Sequence, residues 1–132
     1  MNTVVEITNL TKGALPKAPF GVLAAKILSA NYELSLTFVP PAKMRTFSQQ
    51  YKGDPTHMNV LSFPISKISG EIIVCPATAK TEAKEFDHTY EQHLSYLVIH
   101  GMLHLAGYHH GSRMESAEKS WMEKYIDFST AF

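Results

Sequence analysis

Residues 89 to 106 constrain this chain more than any other stretch. Read on a helical period, the apolar residues between Thr89 and Ala106 fall on nearly every side, which is the pattern of a helix covered all round by other elements. A chain of 132 residues has room for one main core, so that core is expected to be built around this helix. Gly107 follows, a residue able to take positive φ and end the helix.

The same helix carries an unusual load of imidazole. Six of the seven histidines lie between His88 and His110, and His100, His104 and His110 are spaced H-x3-H-x5-H. Residues four apart share a helix face about 6 Å apart along the axis, close enough for two imidazoles to reach one ion. The turn at Gly107 can swing the chain back so that His110 faces that ion from the side. In an otherwise apolar helix, uncoordinated imidazoles would each need hydrogen-bond partners to offset desolvation, and the metal reading is the simpler one. Three neutral imidazoles leave a fourth position for water, the layout of a catalytic zinc site. The spacing also matches the metzincin pattern H-E-x-x-H-x-x-G-x-x-H, except that the peptidase's general-base Glu is replaced by Gly101. That counts against peptide hydrolysis.

The rest of the chain reads as α+β. Strands are expected at Val4 to Thr8, Tyr32 to Val39, Val60 to Phe63 and Glu71 to Cys75, and helices at Phe20 to Ser29, Pro41 to Tyr51 and Glu115 to Phe128. Pro41 suits a helix's first turn, Lys52 to His57 is a loop, and the polar stretch Ala77 to Asp87 can be helical. Trp121, Met122, Tyr125 and Ile126 form the expected packing face of the last helix. The expectation is a single compact domain over residues 1–132, a small mixed sheet packed with helices, with the histidine helix at its centre in a zincin-like layout.

Composition narrows the function. With 45% hydrophobic and 18% charged residues, neither a disordered chain nor a membrane protein is expected, and nothing before Ala30 has the form of a signal peptide. A single cysteine, Cys75, fits a reducing compartment and reads as a small buried hydrophobe. The formal net charge is zero, yet residues 1–80 carry eight Lys/Arg against four Asp/Glu and residues 81–132 carry four against eight. A polyanion is therefore expected to meet only a local patch, around Lys43, Arg45 and Lys52.

Three motifs together resemble one family. The run His100-Gly-Met-Leu-His-Leu-Ala-Gly-Tyr-His-His110 is similar to H-G-x-L-H-L-x-G-Y-D-H of the YbeY family of bacterial metal-dependent endoribonucleases and ribosomal RNA maturation factors. Asn59-Val-Leu-Ser-Phe-Pro64 resembles that family's N/D-V-L-S-F-P, and Gly70-Glu-Ile-Ile-Val74 its G-D-I-x-I strand. The resemblance implies one zinc ion per chain on His100, His104 and His110. It also implies a compact α+β fold and single-stranded RNA as substrate, chiefly the small-subunit ribosomal RNA precursor; the cytoplasmic location is expected from the missing signal-peptide pattern and the lone cysteine. The ribosome or ribosome-associated proteins are the implied partners, with no membrane and no DNA.

The chain departs from the family pattern at three positions. The family's arginine seven residues before N/D-V-L-S-F-P is Lys52, which keeps a charge but loses the bidentate fork. Met58 replaces the usual Thr. His109 replaces Asp and creates a ligand ambiguity with His110, although spacing favours His110. In the expected chemistry Lys52 stabilises charge on phosphorus, and Lys43, Arg45 and Lys52 bind the substrate. Glu71, His109 and Glu115 are open as general bases, each with a structural reading beside it. Two other functions compete: an assembly factor that docks on ribosomal RNA through the basic part, with Phe47 and Tyr51 and a structural zinc, and a metalloprotease without its usual base.

Overall fold

Four short strands are only stable when their apolar faces are covered, and here the two central strands are covered on both faces. The computed structural model describes residues 2–53 and 58–126, so part of the expected loop from Lys52 to His57 and the end of the expected helix to Phe128 lie outside the described residues. The strands β1 (Val4–Asn9), β2 (Glu33–Phe38), β3 (Val60–Ser66) and β4 (Ser69–Val74) form one sheet in the order β1-β2-β4-β3. β1, β2 and β4 run parallel, and β3 pairs antiparallel with β4. The helices are α1 (Phe20–Ile27), α2 (Pro41–Lys52), α3 (Pro76–Glu82), α4 (Tyr90–Leu105) and α5 (Ser112–Tyr125), with a 3-10 turn at Ala83–Phe86. The α+β fold with a mixed sheet is as the sequence implies.

Alternation along the central strands explains the layering. Leu34, Leu36 and Phe38 of β2 and Ile72 and Val74 of β4 pack in one cluster with Leu23 and Ala24 of α1 and Leu94, Val98 and Met102 of α4. Ile73 and Cys75 turn to the opposite face and join Val39, Met44 and Leu61, with Phe47 of α2 against them. Cys75 is thus a buried hydrophobe.

Element ends differ from the sequence expectation for local reasons. β3 continues through Pro64, which an edge strand tolerates because its missing N–H faces no neighbour; the register slips between Pro64 and Ser66. α5 begins at Ser112, three residues before Glu115, since Gly111 at φ +149° releases the preceding loop there. Its buried stripe is Met114, Glu118 and Met122, with Trp121, Tyr125 and Ile126 half-buried beside it.

α4 is central, touching α1, α3, α5, β3 and β4. Thr89 and Gln92 close a capping box at its start: the Thr89 hydroxyl accepts from the Gln92 N–H at 3.1 Å, and the Gln92 side chain accepts from the Thr89 N–H at 2.9 Å. Gly101 is where α4 lies closest to the sheet. A Cβ there would meet Ser62 Oγ at 2.9 Å and two carbons of Ile72 at 3.1 Å, and the Ser62 hydroxyl donates to the Gly101 carbonyl at 3.1 Å. Gly101→Ala is therefore expected to lower stability by about 1–3 kcal/mol, the usual cost of overpacking, as measured by chemical denaturation. Unchanged stability would mean that α4 can withdraw from the sheet without loss.

Candidate metal centre and cavity

The end of α4 sets up the histidines. Ala106 caps the helix and Gly107 takes φ +103°, a conformation that favours glycine. The Gly107 N–H then donates to the His104 carbonyl at 3.0 Å and the Tyr108 N–H to the Leu103 carbonyl at 3.0 Å, the paired bonds of a Schellman turn. This turn brings the Tyr108 carbonyl to 3.2 Å from His104 Nδ1 and leads the chain back to His110. The ring centroids of His110 lie 5.4 Å from those of His100 and 4.6 Å from those of His104. One nitrogen from each of His100, His104 and His110 falls within 4.8 Å of the others, a group that could hold a metal ion.

The donor set fits a cation. His100 Nδ1 is hydrogen-bonded to Glu118 Oε2 at 2.5 Å. A carboxylate and a carbonyl can only accept, so Nδ1 carries the proton in both His100 and His104. Their Nε2 atoms are then both acceptors, yet they face each other at 3.2 Å. Two lone pairs aimed at one point are stabilised by a shared cation, and neutral imidazoles held by a carboxylate or carbonyl behind them are the usual form of metal-binding histidine. Burial pushes the His104 pKa below 6.5, and the neighbouring His100 and His110 push it the same way. His104 therefore stays neutral and able to ligate at pH 7. Because the folded pKa is the lower one, its contribution to stability is present above 6.5 and is lost as the pH falls through the folded value.

Glu118 is 6% exposed on α5 and also accepts from the Tyr96 hydroxyl at 3.5 Å. Burial, and then the Glu118 charge, push the Tyr96 pKa up to about 12, which keeps that hydroxyl a donor. The sequence reading missed Glu118. Its signal was there: a glutamate midway between Met114 and Met122 on an apolar stripe needs a buried partner.

The histidines open on a cavity of about 590 Å³ whose wall takes in Lys52 from the end of α2, Ser62 from β3 and Glu82 from α3. Lys52 is exposed on this wall. Lys43 and Arg45, also exposed on α2, are not among the residues lining the cavity. His109 lines the cavity but lies outside the three-nitrogen group. Of the other residues considered as bases, neither Glu71 nor Glu115 lines it. Phe47 stacks on Tyr51 with centroids 6.1 Å apart, and Tyr51 is exposed. Position 101, where a metzincin carries its base, is packed against Ser62 and Ile72 and has no room for a carboxylate side chain.

Comparison with known proteins agrees with the motifs. Residues 6–128 match the family model described as Endoribonuclease YbeY. The Endoribonuclease YbeY of Alkaliphilus oremlandii is 30% identical over 131 residues, covering 92% of this chain and 87% of that protein. That of Finegoldia magna is 38% identical over 87 residues, 61% of this chain and 57% of that protein. The solution structure of TM1509 from Thermotoga maritima superposes with a TM-score of 0.65 at 27% identity, covering 92% of this chain and 88% of that one.

Glu118→Gln keeps an acceptor for the His100 ring while removing the charge that makes its far nitrogen basic. We expect metal affinity to fall about 10- to 100-fold, the usual effect of losing such a partner, with the fold retained by circular dichroism. Unaltered affinity in a metal titration would show that Glu118 only fills space.

Proposed function

The chain belongs to the Endoribonuclease YbeY family, and from that premise we propose that it is a zinc-dependent endoribonuclease that cuts single-stranded RNA in the maturation of small-subunit ribosomal RNA. The observation that carries the proposal is the convergence of three histidine nitrogens within 4.8 Å beside a cavity that also holds a lysine. Zinc suits three neutral nitrogen donors with a fourth position open. Bound there, it would supply Lewis-acid chemistry: activation of water near neutral pH and polarisation of a phosphoryl oxygen.

The chain's own residues do the rest. Glu118 and the Tyr108 carbonyl fix the rings of His100 and His104, so their Nε2 atoms need no reorganisation. Lys52, exposed on the cavity wall, presents its ammonium to the phosphate and offsets charge that builds up on it during cleavage. Arg45 lies seven residues before Lys52, on the same side of α2, and extends the cationic approach for the RNA backbone, while Lys43 sits about 200° around the helix from Arg45 and can meet only RNA that wraps α2. No helix among the described residues is long and apolar enough to cross a membrane; the proposed setting is the cytoplasm, with the ribosome or its associated proteins as partners.

Incubating the zinc-loaded protein with a structured ribosomal RNA fragment tests the activity directly. Cleavage is expected to stop with chelator and to return with zinc, and His110→Ala is expected to lose both ion and cleavage. Uncut RNA at full zinc occupancy would leave an RNA-binding role instead, and loss of the ion in His109→Ala but not in His110→Ala would reassign the third ligand.

The lysine makes a separate prediction. Lys52→Ala is expected to slow cleavage at least tenfold with zinc content unchanged, whereas Lys52→Arg retains or raises the rate because its fork can hold two phosphate oxygens. Equal single-turnover rates in all three proteins would remove Lys52 from the mechanism.

A further inference from the structure

The cavity has a second polar group away from the three histidines. Glu82 at the end of α3 lines it with a side chain 27% exposed. The carboxylate is held from two directions: His93 Nε2 lies 3.1 Å from Oε1, and the Asn59 amide donates to the two oxygens at 3.3 and 3.4 Å. Both holders are themselves fixed. Asn59 Oδ1 accepts from the Val60 N–H at 2.7 Å. His93 is fully buried and engages His88 through its other nitrogen at 3.1 Å. With both ring nitrogens taken, His93 is an unsuitable ligand and serves to orient the carboxylate. A carboxylate has about four acceptor sites, so capacity remains on the side open to the cavity.

Phe86 stands beside this carboxylate. Its ring rests on those of His93 and Tyr96, with centroids 4.7 and 5.6 Å away, yet the residue is 48% exposed and lines the cavity. A phenylalanine supported from behind and open in front is a platform on which a base can stack.

We infer that Glu82 and Phe86 form a nucleobase subsite that selects guanine. The inference deepens the endoribonuclease proposal and rests on it. A carboxylate offers acceptors only, and guanine is the one base whose Watson–Crick edge has two adjacent donors, N1–H and the 2-amino group. Adenine and cytosine offer one amino group beside an acceptor, and uracil one N–H between two acceptors. Single-stranded RNA exposes these edges. The negative charge of Glu82 also turns phosphates away, so a base and not the backbone faces it. His93 precedes His100 by seven residues, about 10 Å along the α4 axis, which makes the selected base a near neighbour of the phosphate at the histidines.

Binding in the presence of chelator tests this without any cleavage. The probes are labelled uridine decamers with one central guanosine, inosine or adenosine, read by fluorescence anisotropy. The guanosine decamer is expected to bind about tenfold tighter than the adenosine one, with inosine, which lacks the 2-amino group, in between. Glu82→Gln pairs an acceptor with a donor, and is expected to lose the guanosine preference and favour adenosine. Phe86→Ala is expected to weaken all three by about tenfold and keep their order. Equal affinities for the three decamers on the unaltered protein, or an unchanged guanosine preference in Glu82→Gln, would overturn the subsite even if the zinc-loaded protein cuts RNA. The expected ranking in a protein that cuts no RNA would instead overturn the endoribonuclease reading and leave the subsite standing.

Discussion

Burial of α4 is the constraint on which the rest of the structure depends. Its sides are covered by three helices and two strands, and Leu94, Val98, Ile99, Met102 and Leu103 are almost wholly out of solvent. A helix held in this way has one position and one rotation, so the direction in which His100 and His104 point is settled by the core and not by the site. The cover runs out at the last turn, where His104 and Leu105 are already half-exposed. There the Schellman turn performs three tasks with one backbone path. It satisfies the carbonyls of Leu103 and His104, it sets the tautomer of His104 through the Tyr108 carbonyl, and it returns the chain toward His110. A residue with a Cβ at Gly107 would strain that path.

Two carboxylates, from elements on different flanks of α4, each restrain one of its histidines, with opposite chemical results. Glu118 of α5 holds His100 by Nδ1 and leaves Nε2 turned toward His104. Glu82 of α3 holds His93 by Nε2, and His88 takes the remaining nitrogen. Both histidines lie on the same side of the helix, two turns apart. What separates an imidazole still able to take a metal ion from one that can only position a neighbour is how many of its nitrogens are already engaged, and spacing along a sequence carries no such information.

That distinction marks how far the sequence could be read. The period of residues 89–106, the glycine after it and the histidine spacing were enough to anticipate a central helix, its end and the three converging nitrogens, because each depends on residues close in the chain. Alternation in β2, and in β4 a short apolar run bounded by Gly70 and Pro76, pointed to those strands for the same reason. The pairings of Glu118 and Glu82 were not found, since each joins residues 18 or 11 apart that only packing brings near, although the apolar stripe around Glu118 marked it as needing a partner. Position 101 reads in the sequence as a missing catalytic glutamate; packing against Ser62 and Ile72 shows a close approach of helix to sheet. The boundaries of β3 and α5 shifted because an edge strand accepts Pro64 and because the last helix starts after Gly111 and not at Glu115.

Charge was legible in amount but not in direction. Lys43 and Arg45 look like one patch in sequence, yet two residues on a helix are about 200° apart around its axis, so they face different ways; Arg45 and Lys52, seven apart, share a side. The attraction for phosphate is therefore concentrated along one stripe of α2 that ends at the cavity, while the α3 wall presents the Glu82 carboxylate. A neutral chain with its charges divided between two walls of one cavity does not bind polyanions strongly, but it imposes an orientation. Under the proposed function, a single strand entering the cavity would be drawn backbone-first toward α2 and left with its bases toward α3. On that path the phosphate would pass the histidine nitrogens at the end of α4, which line the same cavity as Lys52 and Glu82.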